Sequence, residues 1–485
     1  MAKDTRSTSV CFVHPRIITL AGPPRAALLV REGRIVGFRE VPSVPTVRLP
    51  GAAVLPAFAD AHLHLLPLIE RAVGVDCRDA PSLPALLARL AAARGSGWVR
   101  ATGYDLGAIH PTRADLDAAT SRPVRLLHRT GHVAVMNTPG LRAIPPAVWE
   151  RGHELGYVEY DPTGEPTGRL WEPAIWLSGA VVPPLGEEEL RRGLADVGAR
   201  LLSLGITAVH DASPTNDGAR FALWERLAPP FRLLLLPGEP SPHRLPAHRS
   251  PTTSGRNTER LAIGPTKVML PDTVEELPSL KALVERLRNL GGPVAIHAVI
   301  HQAVRLAVEA VAAANVQARI EHAAEWPPNL FAPARSAGLT VVVHPGWVRE
   351  RAARYLAEVD PVLIPWLHRG RGFLDAGIPF LFGSDAPASE PDPIGALATA
   401  VTRCAADGTL LSPSEALPLL AALRASVAGR AALDPVSRDG ALRVGAAADF
   451  VVLDRDPFTT PHDALATIRV LETYLAGVRV WPAPD

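Results

Sequence analysis

The sequence predicts an α/β protein built around a distorted (β/α)8 TIM barrel. Three observations predict it. Helical and strand patterns alternate from about Glu187 onward, the strands in that stretch are almost wholly apolar, and His, Lys or Asp marks several strands at or near their ends. Apolar strands joined by helices imply a parallel sheet covered on both faces. In a closed barrel the C-terminal strand ends meet at one rim, where active sites sit.

The elements follow in order. Short strands are expected over residues 9–20, 26–30 and 34–38, with Glu32-Gly33 as a hairpin turn. The apolar run 54–57 reads as the first barrel strand, just ahead of His62. Residues 70–185 break the rhythm, with Trp98, Tyr104, Trp149, Trp171 and many prolines, and read as an insertion that roofs the active site. Helices over 187–204, 274–290, 302–314 and 330–337, and one ending at 376, alternate with strands over 206–211, 293–297, 318–322, 339–344 and 378–384. Gly205, Gly291, Gly338 and Gly377 lie just past helix ends, where a left-handed stop is expected. Runs 231–236 and 266–270 bring the tally to about eight strands. The last strands, 450–453, 468–471 and 477–481, are expected to join the N-terminal ones in a small β-sandwich domain. The expected layout is therefore 1–55 and 436–485 for that domain and 56–435 for the barrel, with the insertion at 70–185.

The 485 residues are 47% hydrophobic, enough for a large core. A formal charge of +1 gives no field for nucleic acid or an anionic membrane. Cys11, Cys77 and Cys404 are odd in number and far apart, which suits a reducing compartment. The first twenty residues do not make a signal peptide, and no apolar run is long enough to cross a bilayer. A cytoplasmic location is expected. Oligomeric state is open, a homodimer included.

The chemistry begins at Asp60-Ala61-His62-Leu63-His64. Alternate residues of a strand point the same way, so two imidazoles at i and i+2 can converge on one metal ion. His297, His322 and Asp385 each stand at the end of another apolar strand. The set His, His, His, His, Asp around one rim is a metal-binding pattern, whereas any one of them alone is an ordinary polar strand end. Lys267 is the sharpest residue. It is one of only three lysines and lies in the apolar strand Thr266-Lys267-Val268-Met269-Leu270. A buried amine is costly unless paired or chemically altered, and carboxylation by CO2 would turn it into a carbamate able to bridge two ions. A salt-bridged or snorkelling lysine is the plain alternative.

With these residues in this order, the chain resembles the amidohydrolase superfamily, and within it the amidohydrolase family 3 branch that includes N-substituted formamide deformylases. The motifs that carry the resemblance span most of the chain. They are DxHxH at Asp60–His64, residues 111–117 (Pro-Thr-Arg-Ala-Asp-Leu-Asp), Gly131-His132 with Asn137 downstream, and residues 164–168 (Gly-Glu-Pro-Thr-Gly). Further on come 319–323 (Arg-Ile-Glu-His-Ala), 383–387 (Gly-Ser-Asp-Ala-Pro) and 448–454 (Ala-Asp-Phe-Val-Val-Leu-Asp). The resemblance implies a barrel plus a small β-domain made from both chain ends. It also implies a centre of one or two divalent ions, zinc by default. By position His62, His64 and Asp385 would hold one ion, His297 and His322 a second, and carboxylated Lys267 would bridge. Three places depart from the usual pattern: Pro56-Ala57-Phe58, Pro271-Asp272 and Ile300-His301.

The activity so implied is hydrolysis of a non-peptide, amide-like C–N bond in a small molecule. Water made acidic by the metal supplies hydroxide, and Asp385 acts as general base and then acid. His132, Glu172, His301, His344 and Trp347 are substrate-binding candidates, with Glu172 also a candidate extra ligand from the insertion. A mononuclear deaminase, an esterase or lactonase, and an inactive small-molecule-binding homologue are the alternatives. The first is disfavoured because Ala298-Val299-Ile300-His301 offers no carboxylate after His297. An HExxH zinc helix is absent, since no Glu lies between His297 and His301.

Overall fold

The apolar runs of the middle region become short parallel strands. Four form one sheet: β1 (Phe58–Leu63), β2 (Ile206–Asp211), β3 (Arg232–Leu235) and β4 (Leu261–Ile263), in the order β4-β3-β2-β1. Five form a second: β5 (Thr266–Met269), β6 (Val294–Ala298), β7 (Ala318–His322), β8 (Thr340–Val343) and β9 (Phe380–Phe382), side by side in chain order. Their register sets His297 of β6 opposite Glu321 and Met269, and Ala298 opposite His322. Gly264-Pro265 separates β4 from β5, and proline has no N–H for a ladder. The chain changes neighbours there, β4 pairing with β3 and β5 with β6.

The two sheets meet at isolated parallel bridges, Leu63 with Ala386 and Gly238 with Lys267. At the first seam Asp385 N donates to His62 O (2.7 Å) and His64 N to Ala386 O (2.8 Å). At the second Lys267 N donates to Pro237 O (2.7 Å).

This computed structural model describes residues 9–105, 109–129, 131–172, 177, 181–239, 260–434 and 436–483. Lys3, one of the three lysines, lies outside them. The chain divides into two compact units, Met1–His64 with Gly198–Asp485, and Leu65–Val197.

Helices connect the strands of the larger unit. Leu280–Leu290 is representative: Ser279 accepts from Ala282 N at its start, Leu283, Val284 and Leu287 are buried, and Gly291 ends it at φ 64°. The sequence predicts this helix from residue 274, which is too early. Val274–Glu276 is a separate 3-10 turn, because Pro278 forces Leu277 into extended backbone (φ −63°, ψ 134°).

Strands from both chain ends share one eight-stranded sheet. Its order is Val478–Trp481, Val470–Leu475, Phe450–Leu453, Ala53–Pro56, Val10–Ile17, Arg25–Arg31, Arg34–Gly37, with Thr46–Arg48 paired to Val10–Ile17. The run 54–57, expected as a barrel strand, belongs here instead. Ala53–Pro56 pairs antiparallel with Phe450–Leu453, and the parallel strand β1 begins only at Phe58, whose N donates to Gly205 O. Phe12, Leu28, Val30, Val54, Phe450 and Tyr474 form this sheet's core, with the Phe450 and Tyr474 rings stacked at 4.4 Å.

The smaller unit has its own six-stranded sheet and its own cores. Val75–Asp76, Val99–Tyr104 and Val124–His128 run parallel; Val133–Met136, Pro166–Trp171 and Val158–Tyr160 continue it antiparallel. Two family-like motifs serve this framework. Thr112 and Asp115 form a capping box for the helix Arg113–Ala119. Buried Asn137 accepts from Val124 N (2.9 Å) and Gly140 N (3.0 Å). Among the described residues no helix is long and apolar enough to cross a membrane.

Candidate metal centre

Polar side chains from β1, β5, β7, β8 and the end of β9 converge in the larger unit. His62 and His64 come from β1 and its C-terminal edge, and Asp385 from the turn after β9. Asp385 Oδ1 lies 3.1 Å from His64 Nε2 and 3.4 Å from His62 Nε2. Each of these three residues offers one ligand-capable atom, and all lie within 4.8 Å of one another. A second trio, His62, His322 and His344, meets the same limit and is wholly buried.

The backbone is bent to bring them together. His322 (φ 68°) and Asp385 (φ 61°) are both left-handed, a costly state that persists only where surrounding contacts hold it. Gly383 lets β9 close on β1: a Cβ there would sit 2.7 Å from His62 Cβ. Asp60 ties the two segments, its carboxylate accepting from Ser384 Oγ (2.5 Å), Ser384 N (2.9 Å) and His62 N (3.2 Å). Burial pushes Asp60 up to about 6 against those hydrogen bonds.

Burial also keeps the imidazoles neutral, which is their ligand form. His62, His322 and His344 are all pushed below the ordinary histidine value, chiefly by burial. Burial works against ionisation of Asp385 too, but the hydrogen bond and charge of His64, with His344 and Lys267, bring its carboxyl below the usual range. Lys267 is 1% exposed, and burial lowers it to about 8 despite the attraction of Glu321 and Asp385.

Among the described residues, His62 Nε2, His322 Nδ1, His344 Nε2 and Lys267 Nζ find no hydrogen-bond partner. Buried polar atoms are ordinarily satisfied. Neutral imidazoles with unused lone pairs beside an ionised carboxylate are the donor set of a divalent first-row ion, so the residues fit one.

The other expected site residues are engaged differently. His297 packs on His322 (ring centroids 4.5 Å) and its Nε2 lies 3.2 Å from Asp272 Oδ1. His301 Nδ1 and N both bond Glu325 Oε2, at 2.8 and 2.9 Å. Two places where the sequence departs from the family pattern, Asp272 and His301, are thus carboxylate–histidine pairs at the strand ends. Trp347 stacks on His322 (5.4 Å) and His344 (5.1 Å), with Arg351 4.7 Å over its ring. His344 therefore sits among the ligand-capable residues, where sequence reasoning had it only as a substrate contact. His132 and Glu172 belong to the smaller unit and pair with each other at 2.9 Å.

Sequence reasoning assigned no role to Arg319, Glu321, His210, Asp60 or Ser384. Glu321 Oε2 is 2.5 Å from His62 Nδ1, and Arg319 Nε is 2.5 Å from Glu321 Oε1. The signal was present: two charged residues inside the short strand Ala318–His322 are as anomalous as Lys267 in its own.

Residues 46–481 match the amidohydrolase family. The chain belongs to that family. It is an enzyme, a metal-dependent amidohydrolase of the kind acting on carbon–nitrogen bonds other than peptide bonds. Among curated relatives, the N-substituted formamide deformylase of Arthrobacter pascens is 26% identical, with 98% of each chain covered. The putative amidohydrolase YtcJ of Bacillus subtilis (strain 168) is 24% identical, with 91% of each covered. An uncharacterized metal-dependent hydrolase from Pyrococcus horikoshii OT3 shares the fold, with a TM-score of 0.74 at 22% identity over 94% of this chain and 99% of that one.

Proposed function

We propose that this amidohydrolase hydrolyses an amide-like C–N bond of a small molecule, with N-substituted formamides the first class to test. One observation carries the reading: among the described residues, buried nitrogens of His62, His322 and His344 lie together without hydrogen bonds where His62 meets Asp385, and Lys267 Nζ, also without one, feels the charge of Asp385. The formamide class rests on the Arthrobacter relative, which matches over almost its whole length.

His62, His64 and Asp385 would hold one divalent ion, zinc by default. His322, with His297 or His344, would hold a second. Lys267 would stand between them as a carbamate, formed when its neutral amine adds CO2 and releases a proton. When bound, the ion polarises the scissile carbonyl and lowers the pKa of water. Asp385, ionised at neutral pH, takes the proton of the attacking water and delivers it to the leaving nitrogen. Trp347 and His301 would face the substrate. For His132 and Glu172, already engaged with each other, substrate contact rests on the sequence argument alone.

The two parallel sheets would form the distorted (β/α)8 barrel, with β4 and β5, parted only by Gly264-Pro265, as one of its eight strands, spanning 56–435 with an insertion at 70–185. Segments 1–55 and 436–485 would form the small β-sandwich domain, the shared sheet curling until its ends meet: a Cβ on Gly33 would lie 2.9 Å from Ala476 Cβ. Three free cysteines fit a cytoplasmic setting.

The test is metal content per chain by mass spectrometry, for wild type and Lys267→Ala. About two ions falling to one or fewer in the variant supports the bridged centre. One ion in both makes Lys267 structural. None in either, with metal supplied, removes the metal-hydrolase reading.

A further inference from the structure

Behind His62 runs a line of buried polar side chains drawn from β2, β7 and β1. His210 of β2 is 1% exposed. Its Nε2 lies 2.9 Å from Gly429 O and its Nδ1 2.9 Å from Arg319 Nη1. Arg319 also reaches Ala61 O (3.1 Å) and Glu321 Oε1 (2.5 Å). Glu321, wholly buried, ends the line at His62 Nδ1, 2.5 Å away.

Donor and acceptor rules assign every proton along it. Gly429 O only accepts, so His210 Nε2 carries a hydrogen. Arg319 only donates, so His210 Nδ1 is the bare nitrogen that accepts from it. Arg319 donates to Glu321 as well, pairing with that carboxylate through Oε1. Glu321 must then accept from His62, whose hydrogen is therefore on Nδ1. The lone pair of His62 is left on Nε2, the atom that finds no partner and lies 3.4 Å from Asp385 Oδ1.

We propose that Arg319 and Glu321 are positioning residues that select the Nδ1–H tautomer of His62, and that His210 seats Arg319 for that task. The inference rests on the reading of His62 as a metal ligand. A carboxylate that fixes a ligating imidazole is expected to matter for affinity. What is particular here is that the arginine dictates the outcome.

Glu321→Gln exposes this. An amide beside Arg319 must turn its oxygen to the arginine, so its NH2 faces His62. His62 must then accept at Nδ1, which moves its hydrogen to Nε2 and spoils it as a ligand. With Arg319→Met added, the amide is free to turn its oxygen to His62. Arg319→Met with Glu321→Leu has the same net charge but offers no acceptor.

The experiment is zinc retained per chain under competition with a chelator, with thermal melts of the metal-free proteins beside it. Glu321→Gln should hold zinc about 10- to 100-fold more weakly than wild type. Arg319→Met/Glu321→Gln should recover most of that loss, and Arg319→Met/Glu321→Leu should not. Equal affinity in the two double variants would assign the effect to charge and overturn the tautomer argument, as would a Glu321→Gln protein that binds like wild type. If a double variant fails to fold, nitrogen-15 shifts of labelled histidines in metal-free wild type and Glu321→Gln decide. His62 protonated at Nδ1 in the first and Nε2 in the second supports the proposal; the same tautomer in both overturns it. Wild type holding no zinc would instead overturn the reading of His62 as a ligand.

Discussion

Two sets of histidines, one in each unit, are used in opposite ways. In the larger one His62, His322 and His344 are almost fully buried, held neutral, and each leaves a ring nitrogen without a partner. In the smaller one His132 has a side chain 57% exposed, with both oxygens of Glu172 at 2.9 Å from its Nδ1. The first set has ring nitrogens that lie together and make no hydrogen bond among the described residues. The second has its partner already, in water. Residue type is the same in both; burial and prior commitment decide which histidine can hold an ion.

The largest effect should come from the carboxylate in the buried set. Asp385→Asn keeps the shape and can still ligate through oxygen, but it cannot take a proton. Turnover should fall by about 10²–10⁴-fold, while the melting temperature moves little. Steady-state kinetics with an N-substituted formamide, or whichever substrate proves active, reads the first; a thermal melt reads the second. An Asp385→Asn protein that turns over normally would remove Asp385 as acid and base and leave the buried set a binding site only.

Much of that set was legible in the sequence because charge inside an apolar strand is conspicuous. Lys267, His297, His322 and Asp385 stood out for that reason alone, and so did the alternating apolar strands and glycine stops of the larger unit. Three things were not legible. Pairing partners depend on the third dimension, so nothing local told Ala53–Pro56 that it would join Phe450–Leu453 rather than the parallel sheets. His344 looked like one more rim histidine, because the contact that aims it, Nδ1 to Gly383 O at 2.8 Å, spans 39 residues. Arg319 and Glu321 were seen as a motif and not as a relay, since their partners His210 and His62 lie 109 and 259 residues away.

His210 sharpens the comparison on a smaller scale. It is buried like the ligand set but partnered, and burial with the Arg319 charge lowers it to about 3, with the Gly429 hydrogen bond and then Glu321 opposing. The sign follows from linkage. Above pH 6.5 the ring is neutral folded and unfolded, and it contributes nothing. Between 6.5 and about 3 only the unfolded chain binds the proton, so acid drains stability through that window. His210→Gln can make the same two hydrogen bonds and does not titrate. Denaturant unfolding of the metal-free proteins across that range should show a shallower acid loss in the variant, by up to about 1.4 kcal/mol per pH unit. Parallel curves would mean His210 protonates in the folded state and is not sealed from water.

The smallest effect belongs to the exposed pair. Glu172→Gln removes the charge opposite His132 and keeps the side chain's size. An ion pair in water is worth about 0–1 kcal/mol, so denaturant unfolding should change within that range, and zinc per chain should not change at all. The contrast with the buried set is the point of the measurement: there, a carboxylate lost should cost orders of magnitude in turnover; here it should cost almost nothing. A Glu172→Gln protein that binds zinc more weakly would break the comparison, because it would place among the ligands a carboxylate that already has a histidine partner.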